Sequence, residues 1–138
     1  RDPARRWPLE SFALVIRGLK KLGIEVVLTG SQEERGLIES LAARSRVSCK
    51  GMVGLRLGEL GALFKKASLL ISNDTGVSHM AAALGIPSVI IFLSSDPKRW
   101  APLESKRHRA LIGTYRLTPQ EVLSEAQKLL EHNPALCV

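Results

Sequence analysis

The 138 residues, 45% apolar and 24% charged, are enough for one domain that buries roughly two-thirds of the surface its unfolded chain would expose, with no disulfide or metal required. No stretch reaches the ~18–20 uninterrupted apolar residues of a membrane-spanning helix, and Cys49 and Cys137 have neither CxxC spacing nor a nearby His cluster, so neither zinc nor dithiol chemistry is supported. Twenty Lys and Arg against 13 Asp and Glu give a formal charge of +7, which favours anionic partners: nucleotides, lipid phosphates or nucleic acid.

The opening Arg1-Asp2-Pro3-Ala4-Arg5-Arg6 is basic, lacks the apolar core of a signal peptide, and follows no initiator Met. These features lead us to expect a fragment of a longer, cytoplasmic protein. Pro8 to Leu22 places Leu9, Phe12, Ala13, Ile16, Leu19 and Leu22 at helical spacing, with Gly23 as the stop. A strand is predicted over 24–29, ending at Gly30, and a helix over 33–43 with Leu37, Ile38, Leu41 and Ala42 on one face. A short strand over 47–50 and a helix over 57–67 follow. Leu69-Leu70-Ile71, the helix from Val77 to Leu84, and the strand from Ser88 to Leu93 make a βαβ unit, closed between by Gly85-Ile86-Pro87. From Ser94 to about Arg109 the sequence reads as a long basic loop, and Thr118-Pro119-Gln120-Glu121 opens a last helix with a capping box. Strands alternating with helices predict an α/β, Rossmann-like fold with a mostly parallel sheet covered on both faces.

Ser72-Asn73-Asp74-Thr75-Gly76-Val77-Ser78-His79 falls where a strand ends and a helix begins, the place where open α/β sheets bind ligands. Gly76 would admit a phosphate to the backbone, first-turn N–H groups would face it, and Thr75, Ser78 and His79 could add donors. The same letters also suit a plain N-cap by Asp74 or Thr75 with His79 packed on the sheet, and the pattern alone leaves both open.

The segment from Asn73 to Pro87 resembles the donor-binding signature of the bacterial heptosyltransferases, glycosyltransferase family nine, approximately N/V-D-T/S-G-x-x-H-x-x-A-A-L-x-x-P. Arg5-Arg6-Trp7-Pro8 resembles that family's K-x-W-P motif, and Gly30-Ser31-Gln32-Glu33-Glu34 its glycine-to-glutamate turn. Ser94-Ser95-Asp96-Pro97 stands where the family has a Gly-Pro-containing loop. The resemblance implies the C-terminal, donor-binding half of a GT-B enzyme, all 138 residues forming that one domain and the acceptor domain absent from the chain. Asp74, Thr75, Gly76, Ser78 and His79 would then surround the diphosphate and sugar of ADP-heptose, and Glu34 or Glu33 would bond the ribose. Arg5 takes the place of the family's phosphate-binding Lys, keeping the charge and offering two donors.

An inverting transfer of heptose to the lipopolysaccharide inner core is thereby implied, without cofactor or metal, since no Asp-x-Asp motif is present. The catalytic base is expected on the missing domain, so the chain by itself should bind donor weakly or not at all and transfer nothing. Two alternatives stand beside this one: another GT-B nucleotide-sugar enzyme, such as a hexose transferase or epimerase, and a basic nucleic-acid-binding module. The second has only the charge in its favour, because aromatics are 4% of the chain and no base-stacking motif appears. Lys106-Arg107-His108-Arg109 reads as a solvated face, with attraction to an anionic membrane surface as its functional alternative.

Overall fold

A computed structural model describes residues 6–94, 96–100, 106–113 and 116–132. The chain divides into two compact units, one formed by Pro8–Leu60 and the other by Trp7 with the chain from Gly61 onward.

In the unit Pro8–Leu60, helix α1 (Leu9–Lys21) starts after Pro8, whose carbonyl accepts the Phe12 N–H at 3.1 Å. Gly23 (φ 78°) turns the chain out of the helix, and the Ile24 N–H bonds back to Leu19 O at 3.1 Å. That bond commits Ile24 to the helix terminus, so strand β1 (Val27–Gly30) begins three residues later than the β-branched run predicts. Helix α2 (Arg35–Ser45) ends at Arg46, which takes the left-handed conformation (φ 55°), while the buried Ser45 hydroxyl donates to Ala42 O at 2.7 Å. This helix ends two residues later than expected, and β2 lies at Lys50–Val53 instead of 47–50, where it runs parallel to β1 with Val27 opposite Lys50 and Gly30 opposite Val53. Ala13, Ile16, Leu28 and Leu41 make the core, and Val47 and Cys49 pack against it from the connection instead of from a strand.

Helix α3 (Leu57–Lys66) leads from this unit into the next. There β3 (Leu70–Asn73), β4 (Ser88–Phe92) and β5 (His108–Ile112) form a parallel sheet in the order β3-β4-β5. Among the described residues all three strand pairings are parallel, as the alternating pattern predicts. Every residue of β4 is buried, the signature of a central strand covered on both faces. Helix α4 (Gly76–Ala83) packs on β3 and β4 through Ala81, which is fully buried. Helix α6 (Pro119–His132) packs on β4 and buries Val122, Ala126 and Leu129 at i, i+4 and i+7. Each Val, Ile, Leu or Phe buried here contributes about 1.5–3 kcal/mol. The predicted capping box is present: the Thr118 N–H donates to Glu121 Oε2 at 2.7 Å and the Glu121 N–H to Thr118 Oγ1 at 3.2 Å.

The stretch read as a long basic loop contains the short helix α5 (Pro97–Trp100) and the first residues of strand β5. Nor is Lys106-Arg107-His108-Arg109 a solvated face. His108 is buried with Nδ1 2.7 Å from Ser88 Oγ, Arg107 donates to Gly85 O at 3.2 Å, and Arg109 lies 3.6 Å from the Glu125 carboxylate. Those contacts, with β4, the turn before it and α6, receive the polar side chains at the start of the strand.

Candidate functional site

At the carboxyl end of β3 the chain enters α4 through Asp74 and Thr75. The Asp74 N–H still bonds to the sheet, at Ile91 O (3.0 Å), while Thr75 is fully extended (φ −145°, ψ 178°) as the N-cap. Its side chain makes no cap hydrogen bond. Instead the Thr75 carbonyl accepts two bonds, from the Ser78 N–H at 3.0 Å and the Ser78 hydroxyl at 2.7 Å. Ser78 is therefore buried and its hydroxyl donates inward, against the expectation that it would offer a donor to a ligand. Gly76 and His79 are exposed, and Asp74 and Thr75 half-buried.

Gly76 is informative. Among the described residues, a Cβ added there would meet nothing within 4 Å, and its φ is not in the left-handed region. Neither packing nor backbone conformation requires a glycine. A small side chain at position 76 would thus find open space among the described residues, and the amides of Gly76 and Val77 lead the helix without an intrahelical acceptor.

Behind this turn, Asn73 Oδ1 accepts the Trp7 N–H at 3.0 Å, across 66 positions of sequence. Trp7 is 3% exposed, and Arg6 beside it is exposed. The bond brings the end of the Arg5-Arg6-Trp7-Pro8 motif to the start of the Asn73–His79 motif. Arg5 itself lies outside the described residues.

In the other unit, β1 ends at Gly30 and Ser31 caps a 3-10 turn over Gln32–Glu34 in a complete capping box. The Glu34 carboxylate accepts the Ser31 N–H at 2.8 Å, and the Glu34 N–H donates to Ser31 O at 3.0 Å. A Cβ on Gly30 would come within 3.2 Å of Glu34 Oε2, so the glycine lets the carboxylate settle over the strand end. Glu33 is exposed. Of the two glutamates, Glu34 is the one with a fixed carboxylate. Among the described residues, no three His, Cys, Asp or Glu side chains come together to hold a metal, and no helix is long and apolar enough to cross a membrane.

The sequence profile of glycosyltransferase family 9 (heptosyltransferase) matches residues 1–130. The chain belongs to glycosyltransferase family 9. Lipopolysaccharide heptosyltransferase 2 of Salmonella typhimurium is 28% identical over 151 aligned positions, covering 93% of this chain and 43% of that protein. Lipopolysaccharide heptosyltransferase 3 of Escherichia coli is 31% identical over 134, covering 94% and 39%. Among solved structures, ADP-heptose lipopolysaccharide heptosyltransferase II of E. coli superposes with a TM-score of 0.86 at 29% identity, over 96% of this chain and 44% of that one. This family 9 chain thus spans less than half the length of the relatives it matches.

Asp74, Thr75, Gly76, Ser78 and His79 form one cluster around the α4 start, and Glu33 and Glu34 lie in the turn of the other unit. Asn73 is the residue whose part the sequence did not disclose: it stands in the family 9 signature, but nothing local to it points to a partner as distant as Trp7.

Proposed function

We propose that this chain is the donor-binding half of an inverting glycosyltransferase that takes heptose from ADP-heptose for the lipopolysaccharide inner core. The observation that carries this reading is Gly76, a glycine that the fold does not require, at an open helix start whose N-cap side chain leaves the leading N–H groups alone. A phosphate fits that arrangement, because it needs close approach to the backbone and meets the positive end of the helix dipole. The names of the relatives supply the class of donor.

In this reading, negative charge grows on the diphosphate as the sugar–oxygen bond breaks. The amides of Gly76 and Val77, the Thr75 hydroxyl, His79 and Arg5 stabilise it, in place of a metal. Glu34 accepts from the ribose hydroxyls with its carboxylate already oriented by Ser31. The base that deprotonates the acceptor belongs to the acceptor half of the enzyme.

The test is an NMR titration of the 15N-labelled chain with ADP, UDP and GDP. Shifts at Thr75, Gly76 and His79 that are largest with ADP support the reading. A preference for UDP or GDP would redirect it to another nucleotide-sugar enzyme, and salt-dependent oligonucleotide binding with no response to any nucleotide would overturn it.

A further inference from the structure

Strand β5 stands at the end of the order β3-β4-β5, so one side of its backbone faces β4 and the other faces away from the sheet. The Arg107 carbonyl accepts the Ser88 N–H at 3.0 Å, and the Gly113 N–H donates to Phe92 O at 2.7 Å. In a parallel ladder alternate residues bond to the same neighbour, so the odd-numbered residues from 107 to 113 serve β4. Ala110 and Ile112 therefore turn their N–H and C=O groups outward, and among the described residues no hydrogen bond reaches them there. Both side chains are exposed as well, Ile112 by 64%. Natural proteins guard such an edge with Lys, Pro, a bulge or a covering segment. Residues 110 to 113 include neither Lys nor Pro, and their register with β4 runs without a bulge. The neighbouring charge of Arg109 is turned to the Glu125 carboxylate on α6, 3.6 Å away.

We propose that this edge is a docking surface for a second copy of the same chain, the two β5 strands pairing antiparallel about Leu111. Ala110 then stands opposite the partner's Ile112, and Ile112 opposite the partner's Ala110, so the outward N–H and C=O groups of both residues are satisfied. Leu111, half-buried, meets its own copy, and Arg109 stands opposite the partner's Gly113. The edge is thus complementary to itself: no like charges are opposed, and Ile112 leaves water. A pairing about a two-fold axis closes at two copies. So short a ribbon is smaller than a standard interface, and its dissociation constant is expected at about micromolar or weaker. The paired strands run in opposite directions, so the sheet ends at which α4 starts point opposite ways. The inference is independent of the donor-site reading.

The experiment is sedimentation equilibrium of the whole chain from about 10 µM to about 1 mM, with amide hydrogen exchange of the 15N-labelled chain at both ends of that range. A reducing agent keeps Cys49 and Cys137 from linking copies. A monomer–dimer equilibrium is expected, and the Ala110 and Ile112 amides should exchange about twofold or more slowly at the upper concentration. Leu111, whose amide already serves β4, should change less. Ala110→Pro removes an outward donor and leaves the β4 bonds of Arg109 and Leu111 in place. Ile112→Lys puts a charge on an exposed position of the edge. Each should weaken the dimer by about tenfold or more while dilute samples keep the circular dichroism of the fold. Ile112→Val keeps a branched apolar side chain and should retain the dimer.

A monomer throughout that range overturns the proposal. So does a dimer whose Ala110 and Ile112 amides gain no protection, or one that Ile112→Lys leaves intact, since either result places the contact on another face. Growth beyond two copies overturns it too, because a two-fold edge pairing is used up once it has formed.

Discussion

Ser88 Oγ and His108 Nδ1 lie 2.7 Å apart at the first rung of the β4–β5 pair, where the two residues stand directly opposite each other. Both are buried, and their bond sits at the amino ends of the strands, opposite the end where α4 starts. It pins the register of β5, because a shift by one residue would exchange the buried His108 for Arg109. Ser88→Ala, which takes the hydroxyl from His108, is expected to cost about 1–3 kcal/mol in urea unfolding. Replacing both partners, as Ser88→Ala with His108→Leu, should recover part of that loss. A double variant less stable than Ser88→Ala alone would count against this account.

Gly76 separates stability from binding. Gly76→Ala fits the open space and the helical backbone, so thermal unfolding should show stability unchanged or raised by about 0.4–1 kcal/mol. Gly76→Val should also fold, yet its branched side chain would fill the approach to the leading N–H groups. We expect the ADP shifts at Thr75 and His79 to shrink in Gly76→Ala and vanish in Gly76→Val. Full binding by Gly76→Val would mean that the diphosphate does not sit at this turn.

Glu34 caps its turn and, in the donor-site reading, also bonds the ribose; one substitution parts the two. Gln can take the third position of a capping box as Glu does, so Glu34→Gln should keep the turn and the stability, whereas Glu34→Ala should cost about 1 kcal/mol. A carboxylate accepts from ribose hydroxyls better than an amide. Calorimetry should therefore find ADP weakened in Glu34→Gln and inorganic pyrophosphate unaffected. Equal weakening of both ligands would remove the ribose role.

Ala81 sets how closely α4 approaches the sheet. It is fully buried, and Ala81→Leu would force extra methylenes between helix and strands at a cost of about 1–3 kcal/mol. Displacement of α4 should also blunt the ADP response. A stable Ala81→Leu protein with normal shifts would show that the helix position matters less than its amides.

Much of this arrangement was legible in the letters. The βαβ unit from Leu70 to Phe92 was readable because β4 is apolar from Val89 to Phe92 and Gly85 marks the helix end by a required positive φ. The Thr118–Glu121 box was readable because both of its bonds are local. What escaped depends on partners distant in sequence. β5 was hidden because His108 and Arg109 look like solvent-facing residues until Ser88 and Glu125, 20 and 16 positions away, receive them. The bond of Ser78 to the Thr75 carbonyl was not legible, because a hydroxyl in a first turn can point either way. The role of Asn73 required knowing that Trp7 lies beside it.

The carbonyl of Thr75 has a consequence for which ions the turn admits. A carbonyl oxygen carries two lone pairs, and here Ser78 takes up both through its N–H and its hydroxyl. The negative end of that peptide is neutralised inside the helix, while the amides that follow still point outward. In the donor-site reading, the entrance to α4 would act as a rectifier of charge: its leading amides would draw phosphate, while the Thr75 carbonyl, already satisfied by Ser78, would offer a cation nothing from this peptide.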